Sequence, residues 1–176
     1  MPFFAILGPR DAGPGERDRM LEAAAKALEE SSVDDHVRID VPGRGAGEAG
    51  DGNLREPVHL VVPALQSGSL FGGGGGVLVV DAENLQKAEA EVIAELVAAA
   101  DADHVTGVFV AAGSIPAPLG KLLKERGSAI SIKKMRERDA SDWLGSAARE
   151  RGIRLDSDGV EGSPGAGGIE CAASAS

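Results

Sequence analysis

Short β-branched and aliphatic runs alternate with helix-period patterns from residue 3 to about residue 155, and this alternation constrains the fold more than any other feature of the chain. It predicts a parallel sheet covered by helices. Parallel strands need long crossover connections, and strands covered on both faces read as nearly unbroken apolar runs. Five strands are expected, at Phe3–Leu7, Val37–Val41, Val77–Asp81, Val105–Ala111 and Ala129–Ile132. Between them, Met20, Leu21, Ala24 and Leu28 share one helical stripe, and Leu85, Ala88, Val92 and Leu96 share another, with Asn84 at the capping position. Leu119, Leu122 and Leu123 mark a short helix, with Pro116 and Pro118 near its start and Gly127 after its end. Val58–Gln66 is expected to be a kinked helix, because Pro63 disfavours the interior of helix and strand alike.

After the fifth strand the alternation gives way to a purely helical pattern. Asp139 and Asp142 supply first-turn carboxylates, and Trp143, Leu144, Ala147 and Ala148 an apolar face. The expected organisation is an α/β domain over residues 1–138, the start of a helical domain over 139–161, and a Gly/Ala/Ser tail over 162–176 that is expected to be disordered. With 43% hydrophobic residues but only 3% aromatic, the core must be aliphatic. Eighteen basic against 28 acidic residues leave a net charge of −10, which excludes duplex binding through the whole surface. A single cysteine, Cys171, excludes an internal disulfide and a cysteine-based zinc cluster. The apolar N-terminal run is far shorter than the roughly 18 residues that cross a bilayer, so a cytoplasmic protein with no membrane partner is expected.

The first strand runs into Gly8-Pro9-Arg10-Asp11-Ala12-Gly13-Pro14-Gly15, where a phosphate-binding loop would sit. A loop of the form G-x-x-x-x-G-K-[ST] needs a lysine on the β/γ-phosphates and a hydroxyl on magnesium. Pro14 and Gly15 hold those two positions, so Gly8, Gly13, Pro14 and Gly15 read as a degenerate, non-functional nucleotide loop. The strand ending at Asp81 is similar to one that ends in a magnesium-organising aspartate, yet it continues as Ala82-Glu83 without an adjacent catalytic acid. Gly45-Ala46-Gly47-Glu48-Ala49-Gly50 matches G-x-G-x-x-G, but it continues into a polar loop and lacks the acid expected about 20 residues later. His36, His59 and His104 are scattered, with no ligand partner at metal-site spacing. No catalytic residue, metal or cofactor is expected.

Ser67-Gly68-Ser69-Leu70-Phe71-Gly72 is followed by four more glycines, so a Leu-Phe pair stands at the end of an expected helix between glycine-rich flanks. Two readings fit. Leu70 and Phe71 fold back to seal the sheet's edge, or they form an exposed plug for a partner, where burial would supply about 2–3 kcal/mol each. Lys133, Lys134, Arg136 and Arg138 are candidate phosphate contacts, although a basic cluster at a domain junction is more commonly a solvated face.

Taken together, these blocks resemble the δ subunit of the bacterial DNA polymerase III clamp loader. The matching text is Ala64-Leu65-Gln66-Ser67-Gly68-Ser69-Leu70-Phe71-Gly72, then Val77-Leu78-Val79-Val80-Asp81-Ala82-Glu83-Asn84-Leu85, Val108-Phe109-Val110-Ala111, Leu119-Gly120-Lys121-Leu122-Leu123, and Trp143-Leu144 leading to Gly152-Ile153-Arg154-Leu155-Asp156. The resemblance covers residues 58–160 well and the N-terminal strand and helix loosely. It implies an AAA+ architecture whose nucleotide site is lost, followed by a helical lid domain and a helical collar. It implies that Leu70 and Phe71, with Ser69 beside them, enter a hydrophobic pocket of the ring-shaped sliding clamp and help open it. The implied partners are the clamp and the other clamp-loader subunits, with DNA reached indirectly through the complex and ATP handled by the sister subunits. Gly72–Gly76 is richer in glycine than the family's usual polar or basic text, and Gly162–Ser176 departs from a collar sequence. The alternative reading is a nucleotide-binding α/β enzyme, for ATP or a dinucleotide, that uses Gly8–Gly15 or Gly45–Gly50.

Overall fold

A computed structural model describes residues 3–33, 35–43, 45, 54–66, 75–100 and 104–150. Five strands form one parallel sheet: β1 (Phe3–Gly8), β2 (Asp35–Asp40), β3 (Gly75–Val80), β4 (Val105–Ala112) and β5 (Ser128–Ser131). Their spatial order is β2-β3-β4-β1-β5. The helices are α1 (Pro14–Glu30), α2 (Glu56–His59), α3 (Val61–Gln66), α4 (Lys87–Ala99), α5 (Leu119–Arg126) and α6 (Glu137–Glu150), with a 3-10 turn at Ala82–Asn84. The expected α/β class with a five-stranded parallel sheet is therefore what the chain forms.

Alternation along the central strands divides the core in two. Ile6, Leu78, Val80, Val108 and Val110 meet Met20, Ala24, Ala27 and Leu28 of α1 on one face. Val77, Val79, Val105, Phe109 and Ala111 meet α2 to α5 on the other, through Val58, Val61, Leu65, Ala90, Ile93, Val97, Leu119 and Leu123. The strand order places β1 beside β4, although β1 feeds a helix on one face and β4 a helix on the other. The crevice at the C-terminal ends of two such strands is where open α/β sheets hold ligands. The order also differs from the 3-2-1-4-5-6 arrangement of dinucleotide-binding sheets.

Several expectations need correction. Among the described residues only the three inner strands are covered on both faces. In β2 only Ile39 is buried and Val37 is 43% exposed, because β2 and β5 are the sheet's edges. Asn84 does not cap α4; it closes the 3-10 turn, and the N-cap is Gln86. The most deeply buried face of α4 is Glu89, Ala90, Ile93, Ala94 and Val97, while Val92 and Leu96 pack at its margin. The break in the 58–66 segment falls at Leu60 rather than at Pro63, which sits in the first turn of α3 where its missing N–H is harmless.

The chain divides into two compact units, Met1–Met135 and Arg136–Ser176. The described part of the second is α6, with Ala148 buried and Leu144 exposed. Among the described residues, no helix is long and apolar enough to cross a membrane.

Phe109, in the middle of the sheet, is the largest fully buried side chain among the described residues. Replacing it with alanine is expected to lower unfolding free energy by about 3–5 kcal/mol, read from urea midpoints at constant slope.

Candidate functional site

The loop after β1 lies at the crevice where a nucleotide's phosphates would rest. Its first glycine is pressed from behind: a Cβ on Gly8 would collide with the sulfur of Met20, which α1 lays across it. The loop is tied to the end of β4 by Gly113 N–H donating to Gly8 O at 2.9 Å. Gly113 has φ +100°, and a Cβ there would come within 2.8 Å of Arg10 Cγ, so glycine is required on both counts. At the other end Gly13 is the N-cap of α1 and Pro14 its first helical residue, where proline costs nothing.

What fills the start of α1 is the chain's own carboxylate. Glu16 turns back so that Oε2 accepts the Gly13 N–H at 2.9 Å, while Oε1 accepts the Met135 N–H at 2.9 Å. Glu16 is buried, and its pKa lies below the ordinary 4.5, chiefly because the Met135 N–H favours the ionised form. Nearby, Lys134 pairs with Asp11 of the loop; this hydrogen bond lowers the Asp11 pKa and raises that of Lys134. Both side chains are well exposed, so the pair is screened by water. The loop therefore carries two carboxylates, offers neither the lysine nor the hydroxyl that phosphoryl chemistry needs, and has one amide already occupied.

Asp81, at the end of β3, adopts the left-handed conformation (φ 57°, ψ 38°) and binds Arg17 of α1 at 2.7 Å. Glu83 accepts the Ala112 N–H at 3.0 Å and so braces the end of β4. Arg38 forks onto Asp40 at 2.8–3.2 Å. These two ion pairs rim a cavity of about 140 Å³ floored by Met20, Val80 and Val110. That is below the roughly 300 Å³ at which small-molecule sites begin. No group of three or more His, Cys, Asp or Glu side chains that could hold a metal ion occurs among the described residues.

A second polar centre had no counterpart in the sequence reading. Arg55 and Glu89 are 3% and 0% exposed and face each other as a two-pronged pair, Nε to Oε1 and Nη2 to Oε2, both 2.8 Å. Glu89 also accepts the Arg55 N–H at 3.1 Å and the Gln86 N–H at 2.8 Å. The guanidinium donates further to the carbonyls of Pro42 at 2.7 Å, Gly43 at 3.3 Å and Asn84 at 3.0 Å. The pairing holds the arginine protonated and keeps the glutamate's pKa lowered despite its burial, which acts in the opposite direction. The sequence signal was half present: Glu89 lies three residues after Gln86, the spacing of a carboxylate that reaches back to its helix start. Arg55, in a polar stretch, gave none.

At the opposite edge of the sheet, α3 ends at Gln66 and β3 begins at Gly75, whose N–H donates to His104 O at 3.1 Å. Ser69, Leu70 and Phe71 lie outside the described residues, as do 46–50 of the second glycine pattern and the 162–176 tail. Beside Gln66, an open groove of about 350 Å³ is lined by Leu65, Leu96, Ala100, His104 and Val105. Of the basic cluster, Lys133 and Lys134 belong to the first unit and Arg136 and Arg138 to the second; all four are exposed.

Neither a scan against protein-family models nor a search of curated proteins gives a match. Solved structures do. The DNA clamp loader delta protein of Bacillus subtilis aligns with a TM-score of 0.54 at 12% identity, over 86% of this chain and 44% of that one. A Walker-type ATPase of Pyrococcus abyssi aligns with a TM-score of 0.50 at 14% identity, over 91% and 57%. PCH-2 of C. elegans aligns with a TM-score of 0.52 at 12% identity, over 89% and 42%. The chain has an AAA+-like, P-loop-like fold and spans less than two thirds of each of these proteins.

Because folding lowers the Glu16 pKa, its contribution to stability is complete above the ordinary carboxylate range and is lost as pH falls through the folded value. Glu16→Gln is expected to lower the urea midpoint at pH 7 and to flatten the further loss between pH 5 and pH 3, compared with the unsubstituted protein under the same titration.

Proposed function

We propose that this chain is a δ-type subunit of a DNA clamp loader. In this reading it grips a ring-shaped sliding clamp through Leu70 and Phe71, acts in the cytoplasm, and performs no nucleotide chemistry itself. The observation that carries the proposal is the Glu16 carboxylate on the Gly13 N–H, in a loop that has Pro14 and Gly15 where a nucleotide enzyme needs lysine and hydroxyl, on a fold similar to that of a clamp loader delta protein. A scaffold with a closed phosphate loop keeps its sheet as a platform and works by what it binds. The Leu-Phe pair then serves as the anchor, with the C-terminal crevice and the α3 end on opposite edges of the sheet.

Ring opening follows from differential affinity. A subunit that binds the distorted clamp more tightly than the closed one shifts the ring toward the open form by the free-energy difference between the two complexes, and by no more. ATP binding and hydrolysis belong to sister subunits, and DNA contact is indirect, through the assembled complex.

The test is binding of the full chain to a bacterial sliding clamp, followed by titration and by co-elution. Leu70→Ala combined with Phe71→Ala is expected to weaken the complex at least about a hundredfold, since two buried apolar anchors contribute several kcal/mol. Equal affinity of the double variant and the parent, or no complex with the parent, contradicts the proposal.

A further inference from the structure

We propose that the crevice between the ends of β1 and β4 binds a short aliphatic carboxylate, with the hydrocarbon stem in a small apolar cavity and the head between Arg10 and Lys124. The proposal stands on described residues alone and is independent of the clamp-binding reading.

Topology sets the place. β1 and β4 lie side by side and send their following helices to opposite faces, which leaves a gap at their C-terminal ends, the ligand position of open α/β sheets. A cavity of about 70 Å³ lies there, floored by Ala5, Leu7 and Ile115 and edged by Gly113, Ser114, Gly120 and Lys124. Glycine shapes it. A Cβ on Gly120 would collide with the Ile115 carbonyl oxygen, so only glycine lets α5 begin this close to the loop after β4.

Most described cations of the first unit are paired with carboxylates. Arg10 and Lys124 are not. Among the described residues neither makes an ion pair or a side-chain hydrogen bond, and the Ser114 hydroxyl makes no hydrogen bond either. Arg10 lies across Gly113, with its Nε 3.7 Å from where a Cβ would stand, and Lys124 borders the same cavity. The carboxylates on the adjoining loop, turn and helix are already engaged: Asp11 by Lys134, Glu83 by the Ala112 N–H and Glu125 by Lys121. Two cations and a hydroxyl therefore stand at the mouth of an apolar cavity, in a chain of net charge −10. That combination selects the ligand. An anion satisfies the mouth through charge-assisted hydrogen bonds, and a hydrocarbon fills the floor. Since a cavity of about 150 Å³ accepts a benzene ring, one about half that size accepts a stem of about three carbons. Phosphate suits the cavity poorly, because oxygens turned to the apolar floor would find no donors there.

The experiment titrates the full chain with sodium butyrate at neutral pH and low salt, followed by NMR through the amide resonances of Gly113, Ser114 and Gly120. Saturable shifts with a millimolar dissociation constant are expected. Arg10→Gln and Lys124→Gln should each weaken binding about fivefold or more, with the unfolding midpoint unchanged because both side chains are exposed. Arg19→Gln makes the same change of charge on α1 and should leave the affinity at the parental value. Butanol, which has the stem without the charge, should not saturate these resonances over the same concentrations. A blocked alanine-glutamate-alanine peptide, titrated in parallel, separates the two sources of such a carboxylate: tighter binding of the peptide assigns the site to an acidic side chain of a protein, tighter binding of butyrate to a free acid. Shifts that do not saturate with either probe overturn the proposal. So does an Arg19→Gln loss as large as that of Lys124→Gln, or inorganic phosphate binding as tightly as butyrate with the same response to the two substitutions.

Discussion

A carboxylate turned back onto the N-cap amide of its own helix is the contact that ties the start of α1 to the end of the first unit. In an α/β sheet with adjacent strands feeding opposite faces, the helix N-terminus after β1 is the natural anion site, built from unpaired N–H groups and the helix dipole. Here Glu16 supplies the anion from within and joins the loop to Met135 at the end of the first unit. The same exchange recurs beside it, where Arg17 gives Asp81 a cation from α1.

The two edges of the sheet consequently differ in character. The C-terminal edge is crowded and self-satisfied: Met20 lies across Gly8, Arg10 crowds Gly113, and Glu83 braces Ala112. The opposite edge receives an arm pinned at its start by Arg55 and Glu89 and lying on an aliphatic core. In the proposed function the first edge holds the scaffold rigid and the second presents the binding segment.

The sequence was most legible where burial is two-sided. The inner strands at residues 3, 77 and 105 announce themselves as apolar runs because neither face meets water, and the edge strands were found by the same rule although their faces are largely open. Strand order was not legible from periodicity, which is blind to which strand pairs with which. The absence of lysine and hydroxyl at Pro14 and Gly15 could be read directly, whereas Glu16 was not singled out, because its contact with Met135 is made only by the fold. Arg55 was invisible because its partner is 34 residues away and joins it only through the fold. Asn84 misled for a local reason: a 3-10 turn used it first and moved the start of α4 to Gln86.

The most direct measurement is calorimetric titration of the full chain with ATP in excess magnesium. A loop occupied by Glu16 and lacking its cationic groups gives no saturable heat up to millimolar nucleotide. Saturable, magnesium-dependent binding that Glu16→Ala leaves unchanged would show the crevice open to phosphate, and would contradict the account at its root.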